Sequence, residues 1–561
     1  MSSPCSASGS CSVSVSSASA SSSPSSGKAS SKESILAAHL ALLSLDGTNE
    51  DAEELAATPI FTQAVLDYGA ELKANGKAEP FAQYGLLAGI LEESDAATIK
   101  KTPSAHAEKD VRLFFNTTAP SSVFICGSQG SGKSHSLSCL LENFLTQSKA
   151  NVLPRPLTGI VFHYDPFGGS PCEAAYLASA KDISVRVLCA PTNIRDIKAI
   201  YAHLPDVVVE ELRINQSDLD TRKMMELMAV SSVQGSIPLY LHVIQRILKD
   251  LRIEEQLNGT TFNYREFKRR LLDETLAAGQ LVPLQQRLDN LESFMVKEQV
   301  VKVANKKALQ SQGKGNSWES KAGQLTIVDL SCPCVTEETA CSLFNICLDL
   351  FLQHRSDTGL VIALDEAHKY MTDTVESAVL TAKLLENIRV QRHLGIRVII
   401  STQEPTISPK LLDLCSTTIV HRFTSPDWMQ ALKRHLAGAS IAPLADIGDE
   451  DEDDDYDYKV VKPALTAHEL ATELFTKIVA LRRGEALLFC PSAIIDVRRT
   501  GTESEKKNFF ANGGGGGGVK VKDEHEERKG NPQLVKLSHG HMKVRVRERV
   551  TRDGGRSVVA R

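Results

Sequence analysis

The stretch Ser121–Leu145, SSVFICGSQGSGKSHSLSCLLENFL, reads as a buried strand, a glycine-rich turn and an amphipathic helix. Within it Gly127, Ser128, Gln129, Gly130, Ser131, Gly132, Lys133 and Ser134 fit the phosphate-loop pattern G-x-x-x-x-G-K-[ST] at every fixed position. Glycines let successive backbone N–H groups curl around a phosphate with no Cβ in the way. The helix that follows starts with unpaired N–H groups and a positive dipole end, which favour an anion. Lys133 is placed to reach the β- and γ-phosphates of ATP, and the Ser134 hydroxyl to ligate Mg²⁺. His135, next in line, completes the candidate nucleotide-binding set. The bland reading is a chance glycine turn. It leaves unexplained the apolar run Val123-Phe124-Ile125 before the turn and the helix after it.

Working outward, the 561-residue chain has room for more than one domain. Its apolar share, 42%, and charged share, 24%, are those of a soluble globular protein. A formal net charge of −6 excludes a whole-chain basic field. Contact with DNA or RNA must then come from a local patch or an assembled channel. The 12 Cys are scattered, with no C-x-x-C pair. Cys126, Cys139, Cys189 and Cys490 sit in apolar stretches and read as small core residues. Cys332 and Cys334 lack the further ligands of a metal set. This usage points to a reducing intracellular compartment, cytoplasm or nucleus. No apolar run reaches transmembrane length, so no membrane partner is expected.

Residues 1–33 are a Ser-rich tail that cannot bury a core and is expected to be disordered. They lack the basic start and apolar run of a secretory signal. A mitochondrial presequence stays open, because no acid occurs before Glu33, although Arg is missing too. Residues 34–110 read as a helical lead-in, with helices at 60–75 and 83–93. Residues 111–209 are the first part of the ATPase core, with strands at Thr158–Asp165 and Ile183–Cys189. Strand, helix, strand at this spacing implies a parallel sheet and an α/β fold. Residues 210–318 read as an all-helical insertion. Leu241, Ile244, Leu248 and Leu251 share one helix face, as do Leu284, Leu288, Leu291 and Met295. The core resumes over 319–500, interrupted by a self-repelling acidic loop at 446–457. Residues 501–533 form a flexible linker containing the run Gly513–Gly518. In the basic segment 534–561, Lys543, Arg545, Arg547 and Arg549 alternate with Val and Glu. Two readings stay open there: a contact to phosphate or an acidic neighbour, and a solvated charged edge strand.

A second set of residues turns phosphate binding into chemistry. The run Gly359-Leu-Val-Ile-Ala-Leu leads straight into Asp365 and Glu366. In a doubly wound sheet, ligands bind at that strand edge. Asp365 is expected to hold Mg²⁺ and Glu366 to polarise the attacking water. Helix N-termini also favour acids, so the pair gains its weight from the phosphate loop. Gln403 ends the next strand, Gly395–Thr402. It is either a contact to the γ-phosphate or its water, or a turn former before Glu404-Pro405.

Asp365-Glu-Ala-His368 invites a DEAH-box helicase reading, but the following strand ends Ser-Thr-Gln and no Q-x-x-G-R-x-G-R run follows. The L-S-G-G run of an ABC ATPase is missing as well. The motif set resembles instead the HerA/FtsK superfamily of hexameric DNA-pumping ATPases, and HerA-like proteins more than FtsK. The likeness rests on Tyr164-Asp165-Pro166, on Asp365-Glu-Ala-His-Lys-Tyr-Met371 and on Arg389-Val-Gln-Arg392-His-Leu-Gly395. It continues through Ser401-Thr-Gln403-Glu-Pro405, Thr418-Ile-Val-His-Arg422 and Gly484-Glu-Ala486, and spans Ser121–Arg499. The resemblance implies a RecA-like P-loop NTPase core that assembles as a hexameric ring with ATP between subunits and moves on duplex DNA. Lys133, Ser134, Asp365, Glu366 and Gln403 would act within one subunit. Arg389 or Arg392 would be an arginine finger, with Arg422 a weaker candidate. The family's N-terminal β-barrel is not legible before Ser121. That departure, with the acidic balance, keeps a second function in view: a P-loop ATPase switch or assembly factor acting on protein partners. A degenerate nucleotide-binding scaffold ranks last, because Lys133, Asp365 and Glu366 are all present.

Overall fold

In the computed structural model, residues 50–93, 110–228, 239–300, 315–354, 356–405, 407–433, 467–499 and 532–554 are described. The Ser-rich tail, the acidic loop 446–457 and the Gly513–Gly518 run lie outside them. The described strands are β1 (Ile60–Thr62), β2 (Tyr84–Glu93), β3 (Arg112–Asn116), β4 (Ser122–Cys126), β5 (Asn151–Val152), β6 (Thr158–His163), β7 (Ser184–Cys189) and β8 (Val207–Glu211). The second half adds β9 (Gln324–Asp329), β10 (Leu360–Leu364), β11 (Ile396–Thr402), β12 (Thr417–His421), β13 (Glu485–Phe489), β14 (Ile494–Arg499), β15 (Pro532–Lys536) and β16 (Met542–Val546). They make one sheet in the order β15-β14-β1-β3-β2-β16-β13-β12-β4-β11-β10-β6-β9-β7-β8, with β5 beside β2.

The sheet has two halves. From β12 to β8 every pairing is parallel. From β13 to β3 every pairing is antiparallel. The central parallel strands β4, β6, β10 and β11 are buried at every residue, as helices on both faces require. Period-two alternation sorts their side chains. Phe124, Ile160, Phe162, Ile362 and Ile400 join one core with the helices Glu337–Gln353 and Val375–Leu394. Val123, Ile125, Val161, Val361 and Ile399 join the other with the helix Lys133–Leu145. The helical insertion takes shape as Thr221–Met228, Leu239–Asn258, Tyr264–Leu272 and Ala278–Phe294. Ile244, Leu248 and Leu251 of one stripe read from the sequence, and Leu284, Leu288, Leu291 and Met295 of the other, are buried in the first core, while Leu241 is half-buried. No helix among the described residues is long and apolar enough to cross a membrane.

Three expectations change. The lead-in is not purely helical: 83–93, expected as a helix, is strand β2, and β1 and β3 flank it. Its apolar run has no clear period, and short runs of that kind do not separate helix from strand. What decides is non-local pairing to β3 and β16. The strand β8 runs from Val207 to Glu211 and takes up the first two residues of the expected helical insertion. Finally, the start of the alternating cations, Lys543 and Arg545, does not form an edge strand. β16 lies between β2 and β13, with Met542, Val544 and Val546 buried and Arg545 outward. Alternation alone cannot distinguish an edge strand from an interior one with a single wet face.

Candidate functional site

The phosphate loop leaves the tip of β4 and is held open by its glycines. Gly127 and Gly132 adopt φ of 151° and 122°. A Cβ on Gly127 would meet His421 Cβ at 2.6 Å, so the loop tolerates no side chain there. Neighbouring strand tips pin it. Ser128 donates from both N and Oγ to the Arg422 carbonyl, each at 2.9 Å. Gly484 N donates to Ser131 O at 3.2 Å. The helix Lys133–Leu145 begins at Gly132 with no side-chain cap and no acid in its first turn. Its first N–H groups therefore suit an outside anion. Lys133 is 4% exposed and donates to Ser128 O at 3.3 Å. Burial pushes its pKa down, and the Glu366 and Asp365 carboxylates pull it back up.

The two acids stand one strand away. β10 does not touch β4; β11 lies between them and brings Gln403 into the gap. Glu366 sits in the left-handed region at φ 49°, ψ 45°. A non-glycine residue held there stores strain, as functional sites often do. Gln403 Nε2 donates to Glu366 Oε2 at 3.1 Å. His368 Nδ1 is 3.4 Å from the same oxygen and accepts from Gln403 N at 3.4 Å. Burial lowers the His368 pKa in spite of Glu366, keeping the ring neutral at pH 7. Lys369 pairs with Asp165 at 3.2 Å.

Asp365 is 4% exposed. Its Oδ2 meets His163 Nδ1 at 3.2 Å and Cys172 Sγ at 3.8 Å, while Oδ1 is buried without a partner among the described residues. A free buried carboxylate oxygen, with the half-buried Ser134 in the first helical turn, fits a divalent cation of the Mg²⁺ kind. Burial alone would push His163 down, but the bond to Asp365 and the nearby Asp329 carboxylate outweigh it and hold the ring at about 9. Burial, and then the Asp365 charge, push the Cys172 thiol well up.

The structure thus gathers the loop, Lys133, Asp365, Glu366 and Gln403 at one edge of three adjacent strands. It does not bring Arg389 and Arg392 there. Both are exposed near the end of the helix Val375–Leu394, which runs back from the acid edge to the start of β11. At about 3.3 Å per strand residue and about 1.5 Å per helix residue, their backbones lie roughly 10–20 Å from the tips. The weaker candidate, Arg422, is the one whose backbone touches the loop. His135 is engaged elsewhere, its Nε2 lying 2.8 Å from the Arg547 carbonyl. Sequence reasoning missed His163, Cys172, His368 and His421. Only His368 stood inside a quoted acidic motif; the others come together from distant segments.

No protein-family model and no curated protein matches this chain. Among solved structures it is similar to VirB4 of Thermoanaerobacter pseudethanolicus, at 12% identity and TM-score 0.37, over 72% of this chain and 94% of that one. It is also similar to the bacterial conjugative coupling protein TrwB, at 11% identity and TM-score 0.36, over 74% and 92%. A third is the genome packaging NTPase B204 from Sulfolobus turreted icosahedral virus 2 in complex with ATP-gammaS. It matches at 13% identity and TM-score 0.19, over 30% and 63%. At such identities and TM-scores, the chemistry has to be argued from this chain's own residues. The parallel order β12-β4-β11-β10-β6, with the loop on β4 and the acids on β10, makes the core a RecA-like P-loop α/β fold.

Proposed function

We propose that the chain is an Mg²⁺-dependent ATPase that hydrolyses ATP to ADP and phosphate. The observation that carries this is the Gln403–Glu366 hydrogen bond of 3.1 Å beside a buried, loop-anchored Lys133. The loop amides, Lys133 and the helix N-terminus would hold the phosphates. Asp365 and Ser134 would hold Mg²⁺, which supplies Lewis-acid stabilisation of the developing phosphate charge when bound. Glu366 would take the proton of the attacking water, with Gln403 fixing the carboxylate's orientation. With no Arg of the expected pair near the tips, Arg389 or Arg392 would act only on a neighbouring subunit's site. That geometry suits the ring implied by the HerA-like motifs, and with it movement on duplex DNA.

ATPase rates of wild type, Lys133→Ala and Glu366→Gln test the first step. Both variants should lose turnover by about 10²-fold or more, while Glu366→Gln retains ATP binding. Equal rates in wild type and Glu366→Gln would remove Glu366 from the mechanism. The same assay with and without duplex DNA, alongside particle size with and without nucleotide, tests the translocase. Turnover indifferent to DNA in a chain that does not bind DNA would favour a switch acting on protein partners.

A further inference from the structure

The acid edge also gathers a different kind of ligand set. Leu364 pairs with Phe162, so the next residues on the two strands, Asp365 and His163, are neighbours, and Asp365 N donates to Phe162 O at 3.0 Å. Cys172 arrives from the loop after β6. His163 Nδ1, Cys172 Sγ and a carboxylate oxygen of Asp365 lie within 4.8 Å of one another, and all three residues are buried. We infer that this trio is a binding site for a soft divalent cation of the zinc type, distinct in chemistry from the Mg²⁺ expected with ATP.

The distances carry the inference. Tetrahedral zinc, with bonds of about 2.05 Å to nitrogen, about 2.1 Å to oxygen and about 2.3 Å to sulfur, sets N···O edges of about 3.4 Å and S···O edges of about 3.6 Å. The structure has 3.2 Å and 3.8 Å. Those two edges differ from the tetrahedral values by about 0.2 Å each, and the N···S edge, within 4.8 Å in the structure, would close to about 3.6 Å. Imidazole and thiolate select zinc-like ions, whereas Mg²⁺ asks for oxygens in an octahedron. A thiolate and a carboxylate neutralise a doubly charged ion, which a buried site needs. The Cys172 thiol proton and the proton that His163 carries beside Asp365 at neutral pH both leave to solvent as the metal–sulfur and metal–nitrogen bonds form. Three protein ligands leave a fourth position for water.

Outer contacts hold the trio in place. The Tyr201 hydroxyl donates to Asp329 Oδ2 at 2.7 Å and accepts from Cys172 N at 3.0 Å. Asp329 pairs with His163 across β9 and β6, and its Oδ1 accepts from Ser331 N at 3.1 Å. Ligands secured from behind in this way bind metal more tightly. Because Asp365 is claimed by both ions, they exclude one another. The metal site stands on the trio alone; only its consequence, turnover blocked by zinc and restored by excess Mg²⁺, rests on the ATPase reading.

The test titrates the reduced, nucleotide-free full chain with Co²⁺. A thiolate-to-cobalt absorption band should appear in wild type, saturate at one ion per chain in the difference from Cys172→Ser, and bleach on adding Zn²⁺. Asp365→Asn keeps the side-chain shape and should weaken the band as well, covering the case of a Cys172→Ser chain that does not fold. Identical spectra in wild type and Asp365→Asn, or in wild type and a folded Cys172→Ser, overturn the proposal and leave Cys172 as packing beside a His163–Asp365 bond. A chain that shows the band but never hydrolyses ATP sinks the ATPase reading and leaves the metal site standing.

Discussion

Glu142 is where the C-terminal segment closes on the loop helix, and its removal should loosen both. The side chain is 0% exposed. Its Oε2 accepts from Arg547 Nη1 at 2.7 Å and Val550 N at 3.2 Å; its Oε1 accepts from Thr551 N at 3.0 Å and Thr551 Oγ1 at 2.6 Å. Glu142→Gln keeps the shape but removes the charge. Arg547 and Arg549, whose side chains are 6% and 1% exposed, then lose their common counter-ion. Breaking a buried pair from one side costs about 3–5 kcal/mol. At about 2–4 °C per kcal/mol, Tm should fall by about 6–20 °C. The pH dependence follows with its sign. Burial raises the Glu142 pKa, but Thr551 and Arg547 outweigh it and leave it below 4.5. Its stabilisation is complete above that unfolded value and is lost as pH falls through the lower folded one. Thermal melts of wild type and Glu142→Gln at neutral and acid pH read both effects, and the gap between the two chains should narrow in acid. A variant melting within about 2 °C of wild type at neutral pH would refute the reasoning, because β16 pairing alone would then hold the segment.

His421 is buried between the loop and β13, with Nε2 at 2.8 Å from Ser136 Oγ and Nδ1 at 2.9 Å from Glu485 O; burial pushes its pKa down to about 4. Its neutral form belongs to the fold, so stability should be full above pH 6.5 and decline by up to roughly 3 kcal/mol towards pH 4. A His421→Asn chain should show a flatter stability profile across that window in urea melts. Gly85→Ala would set a Cβ 2.3 Å from Asn143 Cγ, whose amide bridges Leu86 O and Arg547. The resulting strain should cost about 1–3 kcal/mol, read by denaturant midpoint; an unchanged midpoint would mean Asn143 swings aside freely. Gln403→Ala releases Glu366 Oε2 from its 3.1 Å bond. Turnover should drop by about 10²-fold with KM for ATP little changed, whereas a rise in KM alone would make Gln403 a binding residue.

The local signals were those carried by chain neighbours. The loop, its flanking strand and helix, and the Asp365–Glu366 pair each lie within one short segment, so glycine placement and apolar runs made them legible. The parallel strands were legible too, because burial on both faces demands continuous apolar runs. The stripes of the helical insertion followed from period alone.

Other features depend on which segment lies beside which. The run at 83–93 is a strand only because β3 and β16 pair with it. Of the alternating C-terminal cations, Lys543 and Arg545 lie on the interior strand β16, and Arg547, just past it, turns onto Glu142, a partner hundreds of residues away. His163 and Cys172 reached Asp365 through strand register and a loop. Arg389 and Arg392 were legible as residues, yet their distance from the site is set by the direction of one helix. Sequence by itself determined the chemistry available at the phosphate loop and its acids. Tertiary structure alone decided what encloses them, because pairing register and helix direction are long-range properties that no local pattern encodes.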